Sequence, residues 1–101
     1  MEYVFTLNED RFYVDTVEVA DWVQVSADRL RSSDGPCAQG DAADFEHVAN
    51  QLKEAASAED IEKALWDFRH LDTSARDALP DDGSVPSKAF NRLVRHFGVD
   101  C

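Results

Sequence analysis

With 101 residues, 44% of them hydrophobic and 10% aromatic, the chain can fold around one modest core. It is neither a disordered acidic tail nor long enough for two domains, so a single domain over 1–101 is expected. Against 21 acids stand only 10 bases, a net charge of −11, which disfavours nucleic acid and anionic membranes as partners and favours basic proteins. No apolar run approaches the roughly 20 residues of a membrane span.

The N-terminus lacks a basic region followed by an apolar stretch, so a cytoplasmic protein is expected. In that compartment Cys37 and Cys101 are free thiols rather than a disulfide. Tyr3-Val4-Phe5-Thr6-Leu7 is aromatic and β-branched and predicts a strand, with Tyr3, Phe5 and Leu7 toward the core and Val4 and Thr6 outward. Asn8-Glu9-Asp10 is turn chemistry, and Arg11-Phe12-Tyr13-Val14 returns as a second strand. Such a hairpin, about 3–14, is marginal alone and must lie on helices.

From Asp15 the period changes. Val19, Trp22, Val23, Ser26 and Leu30 fall on one stripe of a helix over about 16–31, with Asp15 as cap and Glu18 three residues on. The stripe makes Trp22 a core residue. Ser32-Ser33-Asp34-Gly35-Pro36 ends the helix.

Asp41 to Leu71 holds two copies of one pattern. Asp44-Phe45-Glu46 leads to Val48, Ala49 and Leu52; sixteen residues later Asp60-Ile61-Glu62 leads to Ala64, Leu65 and Phe68. Each is an apolar helical stripe with charges opposite. Asp41 caps the first helix, about 41–56, and Ser57 with Asp60 opens the second, about 58–71. The corner between them has no Gly or Pro, so one continuous helix is the alternative. With a corner, the stripes can face each other in an αα-hairpin.

Asp72-Thr73-Ser74 predicts a further short helix through Leu79, stopped by Pro80, and Pro80-Asp81-Asp82-Gly83-Ser84 is loop. Ser87 then caps a last helix, about 87–97, with Phe90, Leu93, Val94 and Phe97 as its stripe and Gly98 as its stop. The expected fold is therefore α+β and mostly helical, an N-terminal β-hairpin packed on a bundle of three to four helices.

Residues 85–97 reverse the charge: they contain Lys88, Arg92 and Arg95 and no acid. A short helix, a loop and a basic helix suggest a helix-turn-helix DNA reader. Six residues from Pro80 to Val85 are longer than the three or four that motif prefers, and the acidic remainder opposes phosphate. Cations near a helix C-terminus also complement its dipole.

Asp44-x-x-His47 and Asp67-x-x-His70 place a carboxylate and an imidazole one turn apart, the spacing of carboxylate-bridged metal bundles. Each His lies two residues past a core aromatic and should face solvent, so no metal site is expected. No phosphate loop, Cys/His metal spacing or nucleophile elbow occurs, so neither a catalytic site nor a cofactor is expected.

What remains is binding. The main expectation is an acidic protein–protein interaction module that occupies and blocks a basic, nucleic-acid-binding partner, with no nucleic acid or membrane bound directly. Size, charge and missing chemistry, though no motif, put it beside phage anti-CRISPR proteins, DNA mimics and nuclease-immunity proteins. Outward acids at helical spacing can imitate phosphates for Arg and Lys. The candidates are Asp44, Glu46, Glu54, Glu59, Glu62 and Asp67, with Asp81 and Asp82 in the loop and Trp66, at the edge of its stripe, as core residue or interface anchor.

Two alternatives stand beside it: a small helix-turn-helix regulator using Lys88, Arg92 and Arg95, and a salt-adapted structural domain whose acidity has no partner. Asp outnumbers Glu by 14 to 7 and Lys occurs only at 53, 63 and 88, which suits a salt-rich or GC-rich source about equally.

Overall fold

Alternation and a two-residue turn make the first element. In a computed structural model that describes residues 2–32, 38–71 and 82–99, β1 (Glu2–Leu7) and β2 (Asp10–Asp15) pair antiparallel. Glu2 lies opposite Asp15, Val4 opposite Tyr13 and Leu7 opposite Asp10. Asn8 and Glu9 alone form the turn, both with positive φ (52° and 71°), the type I′ geometry that matches the twist of a hairpin. Asp10 thus begins β2 rather than ending the turn. As the alternation requires, Phe5, Phe12 and Val14 are buried, while Val4 and Tyr13 face out.

Helix α1 (Thr16–Arg31) starts where the sequence places it. The Asp15 carboxylate accepts the Val17 and Glu18 N–H groups at 3.0 and 3.5 Å. Val19, Val23 and Ser26 are buried, and the Ser26 hydroxyl donates back to the Trp22 carbonyl at 3.2 Å. Trp22 and Leu30 are half-buried at the edge of the core rather than inside it.

Helix α2 (Ala38–Glu54) begins three residues before the predicted cap, so Asp41 lies within its first turn. The same partial positive charge that makes Asp a good cap also favours it one turn in, and side-chain type alone does not separate the two positions. The helix stops at Glu54, and Ala55 to Ser57 make the corner. The Ser57 hydroxyl accepts the Asp60 N–H at 3.3 Å, and the Asp60 carboxylate reaches back to the Ala56 N–H at 2.9 Å. This reciprocal cap separates two helices where one rod was the alternative. Helix α3 (Ala58–Arg69) ends two residues short of Leu71, with His70 as its C-cap.

Helix α4 (Val85–Phe97) corrects the expected cap. Ser84, not Ser87, sits in the extended conformation before the helix and accepts the Ser87 N–H at 3.4 Å. Pro86 lacks an N–H and fits a first turn, where none is needed, so the helix can begin before it. Ser87 is inside the helix and fully buried. Gly98, left-handed at φ 67°, terminates α4, and the Val99 N–H returns to the Val94 carbonyl at 3.0 Å while its side chain rejoins the core. The short helix expected at 72–79, and both cysteines, lie outside the described residues.

The architecture is α+β, the hairpin packed on a bundle of helices, with α1 against α2 as the most extensive helix pair and α3 against the far side of α2. One buried cluster joins all six elements of the described residues. Within it α4 is the bridge. Phe90 meets Trp22 of α1 (5.6 Å between ring centroids) and Phe68 of α3 (5.1 Å), and Phe68 meets Phe45 of α2 (6.0 Å). At the other end of α4, Phe97 and His96 pack on Phe5 of β1 at 5.6 and 4.9 Å. Tilted and edge-on ring pairs of this kind add about 0.5–1.5 kcal/mol each beyond area burial.

Candidate functional site

The predicted acids on the helix flanks divide among three places, because each helix has two flanks and different neighbours cover them; Glu54 at the corner and Asp82 before α4 stand apart from these. On the α1 side of α2, half-buried Glu46 is ion-paired to Arg31, which also reaches Asp28 at 3.4 Å. On the α3 side, Asp44, His47 and Gln51 share one stripe at i, i+3 and i+7. There the Gln51 amide donates to the Asp67 carboxylate at 2.6 Å, and His47 Nε2 lies 4.0 Å from the same carboxylate. The histidine therefore meets the acid of the other helix rather than the one in its own turn. His47 and His70 are exposed, as the helical phase requires. Among the described residues no three His, Cys, Asp or Glu side chains gather closely enough to hold a metal ion.

The third place is the outer face of α3. Glu59, Glu62, Lys63, Trp66 and His70 fall at i, i+3, i+4, i+7 and i+11, opposite the buried Ile61, Ala64, Leu65 and Phe68. Trp66 stands near its centre, 37% exposed. Its indole N–H points to the Glu62 carboxylate at 3.4 Å, and its ring lies 6.2 Å from that of His70, so neighbours on the same helix hold the side chain outward. Trp66 therefore lies opposite the buried stripe rather than at its edge, and it is not a core residue. Glu54, at the tip of α2, is exposed and joins Gln51, Asp60 and Lys63 around a shallow depression of about 220 Å³ at the corner.

Asp82 is exposed and structural in its contacts. It accepts the Ser84 N–H at 3.0 Å, and the Ser84 hydroxyl and N–H hold its carboxyl below the ordinary carboxylate range. The Trp22 indole N–H adds a weaker pull; it is buried and short of hydrogen-bonding geometry to any described residue. Asp81 lies outside the described residues.

Lys88, Arg92 and Arg95 come together: all three are exposed, at i, i+4 and i+7 on the side of α4 away from Phe90 and Leu93. Arg92 also lines a depression of about 390 Å³ with Arg11, Asn8 and Asp10 beside the hairpin turn. Next to it His96 Nδ1 lies 2.8 Å from the Thr6 carbonyl, fastening α4 to β1.

One further surface was not among those expected from the sequence. Tyr13 of β2 is 78% exposed, its cross-strand partner Val4 is 55% exposed, and Val85 at the start of α4 is 71% exposed. The alternation that sends Phe12 and Val14 inward already sends Tyr13 outward; that Val85 approaches it follows only from how α4 docks.

No helix among the described residues is long and apolar enough to cross a membrane. Compared with known proteins, the chain matches no family model, and no curated protein or solved structure shows significant similarity to it.

Proposed function

We propose that this protein is an acidic protein–protein interaction module that binds a basic, nucleic-acid-binding partner and blocks its charged surface. The observation that carries the reading is the outer face of α3, where exposed Trp66 stands one turn beyond Glu62 and two beyond Glu59. A half-exposed tryptophan held outward gains little for the fold. At an interface it supplies the rigid aromatic anchor around which binding energy concentrates. The adjacent carboxylates and the overall charge of −11 give the partner its sign and steer its approach. Asp44, Glu54 and Asp67 lie on the neighbouring flank of α2 and α3 and extend the acidic ground, whereas Glu46 is committed to Arg31. A pull-down with wild type and Trp66→Ala tests the reading. Trp66→Ala is expected to weaken partner binding about 30-fold, as loss of a central anchor does. Undiminished binding removes α3 as the site.

A second reading, nucleic-acid binding through α4, has one observation in its favour: Lys88, Arg92 and Arg95 form a single exposed stripe. Mobility-shift titration of duplex DNA at low salt, with Arg92→Ala/Arg95→Ala as control, separates it from the first. Binding abolished by that double variant supports it, and no shift rejects it.

A further inference from the structure

On the outer face of the hairpin an exposed apolar pair, covered by none of the described residues, lies between the polar pairs Thr6–Arg11 and Glu2–Asp15. Val4 and Tyr13 pair across the strands on that face, and Tyr13 continues into a groove of about 240 Å³. Tyr13, Val85 and Pro86 give the groove apolar walls, and Glu2, Asp15 and Glu18 stand around it. None of the described residues lining it is basic.

Two features bear on what occupies it. Glu2 lies directly opposite Asp15, a like-charge cross-strand pair that destabilises a hairpin unless a cation relieves it. Asp15 is retained by its capping role, but Glu2 makes no ion pair or hydrogen bond among the described residues. The groove is also small and open, below the roughly 300 Å³ at which small-molecule sites begin, and so sized for a protruding side chain. A second copy docking through the same face is a poor occupant, since it would bring the same carboxylates against these.

We propose that this groove docks a basic segment of a partner protein, with one aliphatic side chain seated between Tyr13 and Val85 and a Lys or Arg on either side reaching Glu2, Asp15 and Glu18. The docking rests on the reading of a basic protein partner, yet it uses a surface separate from the α3 face. One segment thereby adds an apolar contact and charge-assisted hydrogen bonds that relieve the Glu2–Asp15 repulsion.

The test is a titration of the ¹⁵N-labelled full chain with the peptide acetyl-Arg-Lys-Leu-Arg-Lys-amide. Two controls accompany it: the same peptide with Gly for Leu, and acetyl-Glu-Glu-Leu-Glu-Glu-amide. Chemical-shift changes at Tyr13, Glu18 and Val85 are expected with the basic leucine peptide and not with the acidic one. The Gly control and the Glu2→Gln/Glu18→Gln variant are each expected to weaken binding about fivefold, and Tyr13→Ser to do the same. Trp66→Ala should leave this titration unchanged. Shifts confined to α3 would overturn the groove while sparing the basic-partner reading. Equal response to the acidic peptide, no response at all, or concentration-dependent shifts at Tyr13 without peptide would each overturn the proposal.

Discussion

Replacing Glu9 with glycine should stabilise the protein, and the size of the effect follows from the turn. Asn8 and Glu9 both occupy positive φ, and Leu7 and Asp10 close the pair around them. A left-handed conformation costs an ordinary L-residue about 1–2 kcal/mol; Asn tolerates it and Gly is free of it, but Glu is neither. Glycine returns part of the gain, about 0.4–1 kcal/mol, by loosening the unfolded chain. The net stabilisation is about 0.5–1 kcal/mol. With an unfolding entropy of about 2.1 cal/mol/K per residue over 101 residues, that raises Tm by about 2–5 °C. Thermal melts followed by circular dichroism measure it, with Glu9→Gln as the control for removing a charge from an acidic surface. A glycine variant that melts no higher than wild type, or a glutamine variant with the same gain, would refute the type I′ account.

Phe45→Ala is expected to destabilise by about 3–5 kcal/mol in urea titration, because Phe45 is fully buried and ends the ring contacts that link α2 through Phe68 to α4. Ser84→Ala should cost about 1 kcal/mol through loss of the α4 cap, measured in the same titration, and a Ser84→Ala variant as stable as wild type would return the cap to another residue. For Asp82, the folded carboxyl is held below its unfolded value, so its contribution is present above about pH 4 and is lost as pH falls through the folded value. Asp82→Asn should therefore lower stability at pH 7 and match wild type more closely in strong acid, read from melts across that range.

The fold was legible wherever one local signal coincided with burial. Alternation through Phe5, Phe12 and Val14 defined the hairpin, the stripe after Asp15 defined α1, and Ser57 with Asp60 marked the corner without help from Gly or Pro. Boundaries slipped where two residues carried the same capping chemistry. Ser84 and Ser87 flank Pro86 and read alike, and only the burial of Ser87 separates them. The site was less legible for a different reason. A helical repeat says which residues point outward but not which neighbour lies beside each flank. Hence Glu46 was grouped with Asp44, although α1 covers one side of α2 and α3 the other. The bridging role of α4 was equally hidden, since Phe90 and Phe97 contact elements more than 20 residues away in sequence. The exposure of Trp66, by contrast, was legible: the helical repeat alone sets it opposite Ile61, Ala64, Leu65 and Phe68 rather than at the edge of their stripe.

The most direct test of blocking is capture of partners from the native host at low salt on immobilised wild-type protein and on Trp66→Ala, followed by elution in rising salt. The expected result is one basic nucleic-acid-binding protein on the wild type, released steeply as salt screens the carboxylates, depleted on Trp66→Ala, and unable to bind nucleic acid while held. A partner that stays bound in high salt, or one that still binds nucleic acid in the complex, would contradict it.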